Sequence, residues 1–425
     1  MSYATSNSQI TPDGHSLIDE KRNGVRSGVI FMDSSGNDAF SRWRVSQPTT
    51  MFESQFQYDQ GQLFWESVLT GGGTATHLPN ESSIRLRVAT SGDSVVRQSR
   101  SYLRYRPGKS LQIAETFVMG PANANVTMQV GYFDAKNGIF LQRAGSAVSF
   151  VRRTFTSGVA VDVVVPQASW NIDPMNGTGP SELTLDLTKS QILMIDLQWL
   201  GVGRVRLGFD IDGEFWPCHQ FLNANNLSTV YMTTANLPIR YSVEATGAPG
   251  GNVDFIQICS VVASEGGFET YLGTPRTISN GVTTIGVTTR RPILSIRPSL
   301  TFNSITNRAL ILPEQVELTA ATNNGYWELV YGGTLTGASF ASVGANSCVD
   351  YDVAATAISS GTVIGGGYVL AGAGTVRGQI QESILSFLPL TLNVAGASPI
   401  PLSVVVTSFT GTCNVSASMT WRELL

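Results

Sequence analysis

Between residues 191 and 219 the chain reads QILMIDLQWLGVGRVRLGFDIDGEFWPCH, with an apolar side chain at nearly every second position. Leu193, Ile195, Leu197 and Trp199 alternate with Met194, Asp196 and Gln198, and Val205, Leu207, Phe209 and Ile211 alternate with Arg204, Arg206, Gly208 and Asp210. A strand sends successive side chains to opposite faces, so this period predicts antiparallel strands buried on one side. Asp212-Gly213 between two such runs supplies the positive φ that a tight hairpin requires. A two-residue turn there sets Ile211 opposite Glu214, Phe209 opposite Trp216, Leu207 opposite Cys218 and Arg206 opposite His219. Keeping the apolar faces together across residues 200–204 pairs Trp199 with Val205 and Leu197 with Leu207. The expectation is a three-stranded meander. Its outer face carries Asp196, Gln198, Arg206, Asp210, Phe215 and His219, the candidate surface for a ligand or a neighbouring subunit. A sheet this apolar on its inner side needs a second sheet over it, which predicts a β-sandwich.

The remainder of the 425 residues fits an all-β chain. Glycine is abundant (43), charge is sparse (14%), and no long segment has helical periodicity. Residues 1–48 are polar and turn-rich, without a repeated apolar face, and read as an extended N-terminal docking arm. Residues 49–265 read as a large antiparallel β-sandwich. After the sequence SEGG at 264–267 the texture shifts to less charge and more Gly, Ala, Ser and Thr, so residues 266–425 read as a second sandwich. Further strands are expected at 230–232 and 237–245, a surface loop at 167–179, and tight turns at Asn137-Gly138 and Asn324-Gly325.

Little in the sequence promises catalysis. His15, His77 and His219 are the three histidines, and none sits in a nucleophile or metal motif. His219 reads as a surface or interface side chain. Residues 106–110 (RPGKS) end like a phosphate loop, but Leu103 stands where the first glycine is needed. Asp210, Asp212 and Glu214 crowd one turn without the spacing of a calcium loop, and Asp212 is needed for the turn itself. No enzyme activity, cofactor or metal is expected. The net charge of −4 speaks against a nucleic-acid surface, and no apolar run reaches the roughly 18 residues of a membrane span. The four widely spaced cysteines read as buried free thiols. Phe215 is expected outward, and Tyr102 and Tyr105 lie near Arg104 and Arg106; such aromatics serve a sugar face or a subunit contact, or else pack against neighbouring loops.

Several blocks, in order, resemble the virion structural proteins of tailed bacteriophages. Residues 38–48, DAFSRWRVSQP, resemble their DAFGRLRVSNP segment, with Ser41 and Trp43 in place of Gly and Leu. Residues 98–110, QSRSYLRYRPGKS, resemble their YxxYQPGKS segment. The likeness continues through 196–212, His219, 236–241 (NLPIRY) and 264–267. It implies a component of the tail, fibre or head surface, made in the host bacterial cytoplasm and residing in the virion among other virion proteins. A homo-oligomer is expected, with a trimer as the symmetric arrangement. Within the arm, Phe40, Arg42, Trp43 and Arg44 are the candidate docking segment. The pattern of the middle domain is also similar to laminin-G and concanavalin-like jelly rolls. The alternative function is a receptor-binding adhesin that recognises a host surface glycan; a depolymerase using Asp196, Asp210 or Glu214 is a third.

Overall fold

A computed structural model describes residues 48–267, 273–372, 376–379 and 388–425, together with four two-residue strands between Gln9 and Arg26. Phe40, Arg42, Trp43 and Arg44 lie outside the described residues. The protein is all-β, and the strand pairings described are antiparallel. Among the described residues no helix is long and apolar enough to cross a membrane. Contacts divide the chain into two compact units. One comprises Met1–Gly61, Ser67–Arg97 and Leu103–Phe268; the other comprises Gln62–Glu66, Gln98–Tyr102 and Glu269–Leu425.

The first unit is built on two sheets. In the eight-stranded sheet the order is Glu214–Phe221, Val205–Ile211, Gln191–Leu197, Leu111–Val118, Val253–Glu265, Ser83–Val88 and Thr74–Leu78, with Pro48–Ser54 also pairing with Val253–Glu265. The seven-stranded sheet runs Val161–Pro166, Ala147–Thr154, Gly138–Ala144, Val126–Phe133, Ile239–Ala245, Ser94–Ser99 and Trp65–Thr70. Side chains meet between them. Phe150 of one sheet lies 6.2 Å from Phe209 of the other, and the Tyr241 hydroxyl bonds Ser260 Oγ at 3.0 Å. This is the sandwich that the alternation around residue 200 demands.

The predicted meander is present, with two shifts in register. Leu197, not Trp199, opposes Val205, and Ile195, not Leu197, opposes Leu207. A shift of two residues keeps every side chain on its face, so the apolar side survives while the connection widens to residues 198–204. The second shift is a bulge. Ile211 opposes Glu214 and Phe209 opposes Trp216 as expected, but Leu207 opposes His219 and Arg206 opposes Gln220. Cys218 is the additional residue. Pro217 has no N–H to donate to the ladder. Gly208 opposite it has no Cβ, and one would lie 2.0 Å from the Trp216 carbonyl oxygen. Gly208→Ala is expected to cost about 1–3 kcal/mol through backbone displacement, read as a lowered midpoint in thermal unfolding.

Other expectations are corrected. Residues 230–232 form no strand. The 167–179 loop begins with a 3-10 turn, Gln167–Ser169, and buries Trp170, Asp173 and Met175. It is no free surface loop, because Ile172 and Asp173 donate their N–H groups to the Cys218 carbonyl along the sheet edge. The Asn137-Gly138 hairpin has a four-residue connection, with Gly138 already paired to Phe133. Cys218, Cys348 and Cys413 are buried free thiols, but Cys259 is exposed.

The second unit pairs a five-stranded sheet (Thr274–Ser279, Cys413–Leu424, Leu310–Thr322, Val376–Gln379, with Ile285–Val287 beside Cys413–Leu424) with a six-stranded one. The latter runs Ala341–Ser342, Val349–Asp352, Arg291–Pro298, Leu402–Ser408, Gly325–Tyr331 and Thr362–Val369. The turn expected at Asn324-Gly325 carries the chain from one sheet to the other, with Asn323 in the left-handed conformation (φ 53°). Trp421, Trp327, Leu329, Ile296 and Val404 share one core. Glu423 is buried inside it, accepting from the Ser347 hydroxyl (2.5 Å), the Cys348 N–H (3.2 Å) and the Trp421 indole (2.9 Å).

Candidate functional site

The outer face of the meander is not a solvent-facing surface over most of its length. Asp196 and Arg206 are direct cross-strand partners, and their side chains are only 5% and 1% exposed. The guanidinium donates to Asp196 Oδ2 through Nε at 3.0 Å and also through Nη2. Each charge is thereby neutralised where water cannot solvate it. Gln198 is fully buried, and its amide donates to the Tyr105 hydroxyl at 3.4 Å. Gly203 passes so close that a Cβ would lie 2.0 Å from the Gln198 carbonyl oxygen. Asp210 and Phe215 oppose each other near the turn and are half-buried. The six predicted residues therefore do not form one exposed patch: three line the buried end of the face, two its open end, and His219 leaves it.

The Cys218 bulge turns His219 toward the inside of the sandwich. Its ring lies 4.7 Å from Phe221 and 6.4 Å from Phe150. Nδ1 accepts the Asn171 N–H at 3.2 Å, which places the proton of the neutral ring on Nε2. Burial pushes its pKa down to about 4, so the imidazole is neutral at physiological pH and faces neither solvent nor Arg206.

The acidic residues considered for catalysis do not converge. Asp196 is committed to Arg206, Asp212 holds the turn with φ 57°, and Asp212 and Glu214 are exposed. Among the described residues no group of three His, Cys, Asp or Glu side chains could hold a metal ion. Tyr102 and Tyr105 are buried and pack within the protein rather than offering a binding face.

What the structure does bring together, among the described residues, is four segments distant in the chain, near residues 105, 198, 236 and 266. In the first unit the Leu103 N–H donates to the Leu237 carbonyl, and the Tyr105 N–H to Asn236 Oδ1, both at 2.9 Å. The Tyr105 hydroxyl accepts from Gln198 and from the Leu200 N–H at 3.3 Å. The Glu265 N–H donates to the Ser110 carbonyl at 2.9 Å, and the Lys109 ammonium to the Gly266 carbonyl. Segments near 105, 198, 236 and 266 thus form one bonded knot with the 103–110 loop at its centre. Arg106 is buried there, and burial together with the charge of Arg106 lowers the pKa of Arg104. The knot was missed in the sequence because none of its links is periodic; each joins a side chain or loop amide to a distant carbonyl or amide.

No family model matches the chain, and no curated protein matches it. Solved structures similar to part of it include a β-1,3-glucanase from Mycobacterium marinum (TM-score 0.35, 12% identity, covering 50% of this chain and 98% of that one). A second is a family 16 glycoside hydrolase from Bacteroides ovatus in complex with a glucan product (0.35, 10%, 50% and 99%). A third is the carbohydrate recognition domain of Emp47p (0.34, 9%, 52% and 98%).

Proposed function

We propose that this chain is a structural component of a tailed-bacteriophage virion, a tail, fibre or head-surface protein that assembles as a homo-oligomer through its N-terminal arm and sandwich faces. One observation carries the reading. Four of the segments that resemble virion proteins, near residues 103–110, 198–200, 236–237 and 265–266, are hydrogen-bonded to one another around the 103–110 loop. A resemblance confined to scattered matches would have no reason to form one structural element. The knot is made of main-chain anchors and buried side chains, a construction suited to holding a rigid building block rather than to turning over a substrate. The polar arm of residues 1–48, with Phe40, Arg42, Trp43 and Arg44, then docks the sandwiches to neighbouring virion proteins. Deleting residues 1–28 is expected to abolish incorporation into particles while leaving the circular-dichroism spectrum and melting of the sandwiches intact. Truncated protein recovered in purified particles at the full-length level contradicts the docking role.

A further inference from the structure

In the second unit, alternation gives the six-stranded sheet two faces. Ile296, Leu329, Leu402 and Val404 enter the shared core, so Arg297, Val330, Ser403 and Val405 lie on the opposite face. Part of that face is covered by the paired segments Thr334–Thr336 and Ala357–Ser359, whose Leu335 and Ile358 pack on Val330 and Val405. The covering segment is pinned at both ends. The Gly332 N–H donates to the Pro401 carbonyl at 2.9 Å, and the Ser339 N–H to Asp352 Oδ1 at 2.6 Å. Beside it lies a cavity of about 380 Å³, walled in part by Arg297, Leu335, Ala338, Phe340, Pro399 and Pro401. That volume is in the range of small-molecule sites.

Of these wall residues only Arg297 is charged. Its guanidinium carbon lies 3.7 Å from the centre of the Phe340 ring, a stacking that fixes the cation while leaving its N–H edge available. Its cross-strand partner is Asp350, and the ion pair runs from Nε to Oδ2 at 3.7 Å, beyond hydrogen-bond length. Asp350 takes its hydrogen bond from the Ser299 hydroxyl, at 2.6 Å on the other oxygen. Arg297 Nε is thus buried without an acceptor, and among the described residues neither Nη group donates a hydrogen bond. Other arginines of this unit are spent. Arg276, Arg290, Arg291, Arg308 and Arg422 each donate to a carboxylate or a carbonyl.

We infer that this cavity binds a small carboxylate carried on a compact ring. The planar guanidinium fork matches the two oxygens of a carboxylate. One guanidinium that already faces Asp350 supplies a single positive charge, which suits a monoanion and not a phosphate dianion. The remaining wall selects the body of the ligand. Pro399 and Pro401 have no N–H to offer, and with Leu335, Ala338 and Phe340 they present C–H and ring surface, the complement of a ring's faces. Aromatic acids and hexuronic acids share this chemistry. The inference goes beyond the assembly role proposed above and does not depend on it.

Saturation-transfer NMR titrations of the full-length chain test it, with benzoate and glucuronate as probes and benzyl alcohol and glucose as their neutral counterparts. At least one acid is expected to bind about tenfold or more tightly than its counterpart. Binding of benzoate alone identifies a site for aromatic acids, and binding of glucuronate alone a site for acidic sugars. Arg297→Gln is expected to weaken the acid about tenfold, and Ala338→Trp to abolish its binding by filling the cavity. Arg297 is 31% exposed and Ala338 is exposed, so both variants should fold, which thermal melting checks. Saturation by neither acid, or an affinity indifferent to either substitution, overturns the inference. Inorganic phosphate that competes as tightly as the acids overturns the choice of a carboxylate.

Discussion

Replacing Asp196 by Ala is expected to destabilise the protein by about 3–5 kcal/mol, because it leaves the Arg206 guanidinium buried without its carboxylate. The pair sits in the middle of the strand ladder, 1% and 5% exposed, so the arginine cannot reach water without breaking the sheet. Guanidinium unfolding followed by tryptophan fluorescence should show the loss as a lowered midpoint. The double substitution Asp196→Leu with Arg206→Met is expected to recover most of it, since two apolar side chains of similar length remove both desolvation costs. A loss below about 1 kcal/mol, the range typical of exposed pairs, would show that the arginine is solvated after all.

Glu115 leads to a change of opposite sign. Its strand, Leu111–Val118, alternates buried and half-buried residues, and Glu115 shares the buried face with Leu111, Ile113 and Phe117. It is fully buried opposite Leu193 and Ser260, and burial raises its pKa well above the ordinary glutamate value. A carboxyl whose folded pKa is raised holds its proton more tightly in the folded state than in the unfolded one. Its contribution is therefore fully present below the unfolded pKa, and is lost as pH rises toward the folded value. The slope is about 1.4 kcal/mol per pH unit across that window. Glu115→Leu is expected to stabilise the protein by about 1–3 kcal/mol at pH 7, with the gain shrinking as the pH is lowered toward 4. A variant equally destabilised at both pH values would mean that the carboxyl is engaged by a partner that stabilises it.

These two side chains also show where the sequence is legible. Period-two alternation reports which face is apolar, and on that basis the meander, its turn at Asp212-Gly213 and the sandwich could be read directly. It does not report whether the other face is wet. Asp196 and Arg206 look like a solvated face in one dimension, and the register read from the sequence, two residues off the observed one, does not set the two charges side by side. Glu115 is the converse, a charged residue in register with apolar neighbours. The bulge that turns His219 inward had a signal, Pro217 within an otherwise regular strand, but its consequence depends on which residue becomes the additional one. The knot around Tyr105 left no periodic trace. Its members could be grouped only through the resemblance, and their mutual bonding required the three-dimensional arrangement.

In both units the strand that joins the most partners comes late in the chain. Val253–Glu265 pairs with Leu111–Val118, Ser83–Val88 and Pro48–Ser54, and Cys413–Leu424 pairs with Thr274–Ser279, Ile285–Val287 and Leu310–Thr322. A chain emerging from the ribosome must therefore hold some two hundred residues of half-built sheet before the keystone of the first unit arrives, and then repeat the wait for the second. The yield of folded protein is therefore expected to respond to synthesis rate and chaperone supply as well as to the stability of the finished sandwiches.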